Sequence, residues 1–113
     1  MPSDSNATSV DFERRADAFM LSVLNALDRL DPDEIDPQLA MGVLTIEFAD
    51  GRKCIMNRQG AAQQIWLAHG ATAWHFQFDA ASGQWLDTKG RGELCSILEQ
   101  TLSTALGHAV SLA

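Results

Sequence analysis

Basic residues are scarce in this sequence. Eight lysines and arginines stand against fifteen aspartates and glutamates, for a formal net charge of −7 at neutral pH. A surface of that sign is repelled by nucleic acid and by anionic membranes, so neither is an expected partner. Cations or a basic protein face remain. Cysteine is rarer still: Cys54 and Cys95 lie far apart and form no CxxC pair, which suits reduced thiols better than a disulfide framework. No stretch approaches the roughly 20 apolar residues of a membrane span, and the opening MPSDSNATSV has neither the basic nor the apolar segment of an export signal. The expected location is the cytoplasm.

Long Pro/Gly/Ser tracts are also missing, and 46% of the 113 residues are apolar. That composition suits one domain with one core. The expected organisation is a flexible N-terminus over residues 1 to 10 and a single domain over 11 to 113. Catalytic signatures are absent as well. There is no GxSxG, P-loop, HExxH or dinucleotide fingerprint, and neither cysteine has a histidine near it in sequence.

What is present is periodicity. Phe12, Ala16, Phe19, Val23, Leu27 and Leu30 recur at three- and four-residue steps, which predicts a helix over residues 11 to 30 with one buried stripe. Thr8 or Ser9 can cap its start, and Pro32 disfavours helical geometry at Asp31, so the end is expected near Leu30. The segment GVLTIEFADGRKCIMNRQ then alternates, turns at Asp50-Gly51 and alternates again, as a β-hairpin does. A three-residue loop over 49 to 51 sets Glu47 opposite Lys53, a favourable cross-strand pair. The stretches QQIWLA, WHFQF and GQWLDT continue the same period of two. Leu94, Ile97, Leu98, Thr101, Leu102 and Ala105 return to helical spacing before Gly107, a natural residue just past a helix end. Helix, strands, helix in that order predicts an α+β fold: an antiparallel sheet of about five to six strands packed on one face by N- and C-terminal helices.

The run LDRLDPDEID gathers Asp28, Asp31, Asp33, Glu34 and Asp36 around the expected helix end. Acids there oppose the partial negative charge of a helix C-terminus, each at a cost of about 0.3 to 1 kcal/mol. On a helical projection Glu13, Asp17, Asp28 and Asp31 form a ridge beside the apolar stripe, and Asp33, Glu34 and Asp36 extend it into the loop. Such a run is either a solvated face or a site for positive charge. As ligands, carboxylates without Cys or His suit hard cations such as Mg²⁺, Ca²⁺, Mn²⁺ or iron, held in an open, weak, water-rich site. An EF-hand is excluded, because Ile35 stands at the third ligand position and no glycine follows.

Strand alternation also turns Lys53, Ile55, Asn57 and Gln59 outward with Trp66 and His75. An outward indole is either covered by a loop or terminus, or is a partner-binding position of the kind where Trp is enriched. His75 on such a face reads as a surface residue.

The block MGVLTIEFADGRKCIMNRQGAAQQIWLA, followed by an HF strand and preceded by an acidic first helix, resembles the frataxin family, bacterial frataxins above all. The likeness extends over residues 11 to 112. It implies a two-layer sandwich and an accessory protein of iron–sulfur cluster assembly that binds Fe²⁺ and Fe³⁺ weakly, with other divalent cations able to substitute. It further implies docking on a cysteine desulfurase and an iron–sulfur scaffold protein. By the resemblance Asp28, Asp31 and Asp33 match the acidic ridge, and Asn57, Gln59 and Trp66 match sheet-face positions that contact partners. Leu24, Asn25 and Arg29 stand where relatives often carry carboxylates, so the ridge is thinner here, with Glu34, Asp36 and Asp17 as further candidate ligands. The expected state is a monomer, with iron-dependent oligomers as the alternative. A ferroxidase or iron-storage protein is a second reading, although the Glu-x-x-His motifs of a built di-iron site are missing. A metal-free interaction module is a third.

Replacing Asp28 and Asp31 together by Asn relieves i,i+3 repulsion and the dipole penalty at once. The double variant is expected to be as stable as the parent or more so, by up to about 1 kcal/mol at low salt. Thermal unfolding at low ionic strength checks this, and a lowered midpoint would make these acids structural.

Overall fold

The computed structural model describes the backbone of residues 2 to 113 and the side chains of residues 10 to 113. The expectation of a flexible segment over residues 1 to 10 falls mostly on side chains outside the described residues. Helix α1 spans Pro2–Leu27, six strands follow (β1 Ile35–Ala40, β2 Val43–Phe48, β3 Lys53–Gln59, β4 Gln64–His69, β5 Thr72–Asp79 and β6 Gln84–Asp87), and helix α2 spans Leu94–Leu106. The strands form one antiparallel meander in the order β1 to β6.

Both ends of α1 differ from the sequence expectation. Its backbone continues to Pro2, past the expected caps Thr8 and Ser9, since extending a formed helix adds one hydrogen bond for each residue ordered. It stops three residues before Leu30. Arg29 N–H donates to the Ala26 carbonyl at 3.2 Å and Leu30 N–H to that of Leu27 at 2.9 Å, so the last turn tightens into the i→i−3 pattern common at helix ends. Leu30 still packs on the core.

Strand β1, IDPQLA, carries too weak an alternation to mark it from sequence. Pro37 has no N–H for a ladder, which confines it to an edge strand, and β1 is the edge. Ile35, Pro37 and Leu39 face the helices while Asp36, Gln38 and Ala40 are exposed. A two-residue turn joins β1 to β2 with φ of 53° at Met41 and 77° at Gly42, as hairpins with a right-handed twist favour. Arg58 lies against Gly42, where a Cβ would meet its Nε at 2.7 Å, so glycine is required for space as well as for conformation.

The β2–β3 register is the expected one, with Glu47 opposite Lys53 and the loop closed by a hydrogen bond from Phe48 N–H to the Arg52 carbonyl at 2.8 Å. Leu44, Ile46, Cys54, Met56, Ile65, Leu67 and Phe76 consequently share one face and are fully buried. Phe12, Ala16, Met20, Val23 and Leu27 of α1 and Leu94, Leu98 and Leu102 of α2 cover them. Helix α2 is capped at both ends: the Glu93 carboxylate accepts from Cys95 N–H at 2.6 Å and Ser96 N–H at 3.3 Å, and Gly107 closes the helix with a left-handed φ of 77°.

Two staples fix the periphery. The buried Asp87 carboxylate accepts from Arg91 N–H at 2.9 Å and Nε–H at 2.7 Å, and Arg91 Nη2 reaches the Ala73 carbonyl at 2.9 Å. These bonds hold the Asp87 carboxyl below its ordinary range. The C-terminal tail returns along α2, with Val110 N–H donating to Ser103 Oγ at 2.9 Å and Leu112 N–H to the Glu99 carboxylate at 2.7 Å.

Trp85 joins the two layers. Its ring meets Phe12 edge-on at 6.1 Å, Phe19 at 6.0 Å and Phe78 at 5.3 Å, and it is 2% exposed. Trp85→Ala is expected to cost about 3 to 5 kcal/mol, read as a lower urea midpoint with the slope of the transition preserved. A loss under 1 kcal/mol would mean that the aromatic cluster is not a structural centre.

Candidate functional site

The acids of the ridge are placed by the end of α1 and the loop that leads to β1. Asp31 Oδ1 accepts from Asp33 N–H at 2.9 Å, and the Asp31 carbonyl accepts from Glu34 N–H at 3.0 Å and Ile35 N–H at 3.3 Å. This Asx-type turn brings the chain from helix to strand and leaves Asp28, Asp31 and Asp33 exposed. None of the three makes an ion pair among the described residues.

The other three candidate ligands are placed differently. Asp17 accepts from Arg58 Nη1 at 2.6 Å, which ties α1 to β3. Glu34 lies 2.9 Å from His108 Nε2 through both carboxylate oxygens. Asp36 lies on the outer sheet face directly opposite Glu47, in a shallow cavity of about 410 Å³ that Lys53 also lines. The six acids thus fall into three places: the helix end and loop, the α1–β3 contact, and the outer edge of the sheet. Among the described residues no three of His, Cys, Asp and Glu gather as a metal-holding group. Exposed oxygen donors without such a cluster fit a hydrated, weakly held hard cation and do not fit a closed coordination site.

His108 lies just past α2, where no sequence motif points to it. The fold brings it across 74 residues onto Glu34, and because its Nδ1 lies 3.2 Å from the Ala109 carbonyl, both ring nitrogens face acceptors. The Glu34 carboxylate first, then that carbonyl and the charges of Glu34 and Asp31, raise the imidazole above its ordinary value. Arg29 Nη2 donates to the Ala113 carbonyl at 3.2 Å, a second bond from the helix end to the tail.

On the outer face, strand register aligns Asn57, Trp66 and His75 in one row and Gln59 beside Gln64 in the next. Trp66 is half-buried, stacked on His75 at 4.1 Å and 10° between planes, and its Nε1–H donates to Gln64 Oε1 at 2.9 Å. Its cover is a neighbouring imidazole; no loop or terminus is needed. Thr45, Ile55, Ala68 and Ala73 form the adjacent row, so a mixed apolar and amide surface runs across the strands. The thiols carry no reactive chemistry: burial pushes Cys54 up to about 12, and burial with Glu93 and Glu99 nearby pushes Cys95 up to about 11.

The molecule is thus a two-layer α+β sandwich with an acidic first-helix end and an amide- and indole-bearing open sheet face. A family model described as a frataxin-like domain matches residues 5–108, and the chain belongs to that family. It is similar to the iron–sulfur cluster assembly protein CyaY of Delftia acidovorans, 34% identical over 106 residues that cover 91% of this chain and 95% of the relative. CyaY of Thioalkalivibrio sulfidiphilus is 44% identical over 92 residues, 81% of each chain. Among solved structures, the frataxin from Psychromonas ingrahamii shares the fold at a TM-score of 0.83 and 23% identity, covering 93% of this chain and 97% of that one. A trimeric frataxin from the yeast Saccharomyces cerevisiae complexed with ferrous iron matches at a TM-score of 0.70 and 30% identity, covering 82% and 86%.

The His108–Glu34 pair sets a pH dependence. A raised imidazole stabilises the fold fully below the ordinary histidine value and loses that contribution as pH rises through the raised one. His108→Gln is therefore expected to lower the thermal midpoint near pH 6 and to match the parent at the alkaline end, by about pH 9. A difference that is constant with pH would show the pair contributes no charge-dependent stability.

Proposed function

We propose that this protein acts in iron–sulfur cluster assembly as an accessory protein without an enzymatic activity of its own. It carries weakly bound iron as cargo or signal, and it docks on the cysteine desulfurase and scaffold proteins in the cytoplasm. The supporting observation is the exposed trio Asp28, Asp31 and Asp33 just past the C-terminus of α1, without ion pairs among the described residues. Apart from the turn that Asp31 caps, negative side chains kept where the helix dipole opposes them cost the fold stability, and relatives 34% and 44% identical bear the name of iron–sulfur cluster assembly proteins.

The two surfaces divide the work. The helix end attracts positive charge, either a hydrated iron ion or a basic patch on the desulfurase, and such complementarity speeds association. Asp36 adds negative charge at the edge of the sheet, while Glu34 and Asp17 reach a cation only by exchanging His108 or Arg58. The outer face, with Asn57, Gln59 and Trp66, supplies the directional contact to the scaffold. A rigid indole beside amides and small apolar residues is the composition of an interface centre. No helix among the described residues is long and apolar enough to cross a membrane.

Reconstituted cluster assembly tests this reading. Adding the protein to desulfurase, scaffold, Fe²⁺ and cysteine is expected to change the rate at least twofold, and Asp28→Asn/Asp31→Asn/Asp33→Asn to abolish most of that change. Raising salt to about 0.5 M should weaken the complex strongly, because exposed charges are then screened within a few Å. In parallel, titration of Fe²⁺ under nitrogen should broaden the amides of residues 28 to 33 first. Salt-independent binding, or uniform broadening, contradicts the proposal.

A further inference from the structure

One cavity lies apart from both surfaces. A space of about 380 Å³ opens between α2 and the ends of β3, β4 and β5, and its lining includes Arg52, Arg91, His69, Trp74, Thr72 and Thr104. Two of the chain's eight lysines and arginines line it. No carboxylate does, although acids number fifteen in the chain. Cavities of this size hold small organic ligands.

Both guanidinium groups are fixed before any ligand arrives. Arg91 gives Nε–H to Asp87 at 2.7 Å and Nη2 to Asp87 Oδ1 at 3.1 Å and the Ala73 carbonyl at 2.9 Å. Arg52 gives Nε–H to Asp50 at 2.6 Å and Nη2 to the Ala105 carbonyl at 3.3 Å. Among the described residues Nη1 of each has no protein partner, so each arginine keeps at least that nitrogen to donate to a ligand. Asp50 and Asp87 offset much of the positive charge. Recognition there rests on directed hydrogen bonds more than on bulk potential, and a guanidinium N–H gives a carboxylate oxygen a shorter, stronger bond than a neutral donor does.

The spacing adds a length criterion. Arg52 is bonded to Ala105 at the C-terminal end of α2, while Gly92, next to Arg91, lies against Ile97 near its N-terminal end. Ile97 to Ala105 is about 12 Å of helix, which sets the scale of the separation between the two arginines. Trp74 and Ile97 give the middle of the groove an apolar surface, and the threonine hydroxyls supply further donors. We propose that this groove binds a small organic di- or tricarboxylate, one terminal carboxylate on each arginine. The site shares none of the six ridge acids and stands or falls independently of the metal reading.

The test is titration of the full-length, metal-free, ¹⁵N-labelled protein with succinate and with propane-1,2,3-tricarboxylate at constant ionic strength. Saturable single-site shifts are expected at the Thr72 and Thr104 amides and the Trp74 indole N–H. Arg52→Gln, which breaks an exposed ion pair and the exposed bond to the Ala105 carbonyl, and Thr104→Phe, which fills the groove from the exposed side of α2, should each weaken binding at least tenfold with urea midpoints close to the parent. Inorganic phosphate should bind at least tenfold more weakly. Linear, unsaturated shifts, affinity unchanged in both variants, an equal response to phosphate, or tighter binding of an oligoglutamate peptide would each overturn the assignment.

Discussion

A sheet covered by helices on one side only obliges its strands to sort their residues by parity. Leu44, Ile46, Cys54, Met56, Ile65, Leu67 and Phe76 must all point one way to be buried beneath α1 and α2, and a slip of one residue in any pairing would turn a whole strand inside out. The alternate set is thereby delivered to the opposite face without any further instruction. Asn57, Trp66 and His75 stand in one row on the outer face because Met56, Leu67 and Trp74 form the neighbouring row that turns inward. The core thus builds the outer face as well, and hydrophobic burial is the interaction on which both depend.

Electrostatics works against this background. The end of α1 and the loop after it collect carboxylates that a helix dipole disfavours, and the fold relieves only part of that repulsion, through His108 on Glu34. Asp28, Asp31 and Asp33 remain without basic partners among the described residues. A small protein of net charge −7 thereby keeps three acids without an ion pair together at one corner, which attracts counter-charge from outside. The tail that carries His108 and accepts from Arg29 closes over the same corner, so the stability of the C-terminal segment and the charge state of the ridge are linked through one imidazole.

Much of this was legible in the sequence. The helical and two-residue periods located both helices, five strands and the inward and outward sets, and the Glu47–Lys53 register followed from charge pairing across a three-residue loop. The sixth strand was hidden because Pro37 and Asp36 break its pattern, and an edge strand tolerates both. A helical projection sets the candidate ligands along one ridge that Leu24 interrupts and the loop extends, yet it carries no information about the sheet beneath it. Arg58 therefore could not be seen to take Asp17, nor strand geometry to carry Asp36 onto the outer face.

By itself the sequence determined the local elements, the identity of the core and the sign and location of the excess charge, because each depends on residues within a few turns of one another. Tertiary structure alone decided which charges are compensated, what covers Trp66 and where two arginines far apart in sequence share a cavity. Those outcomes depend on contacts between residues distant along the chain, such as Glu34 with His108, and only the packing of the helices on the sheet brings such groups within hydrogen-bonding distance.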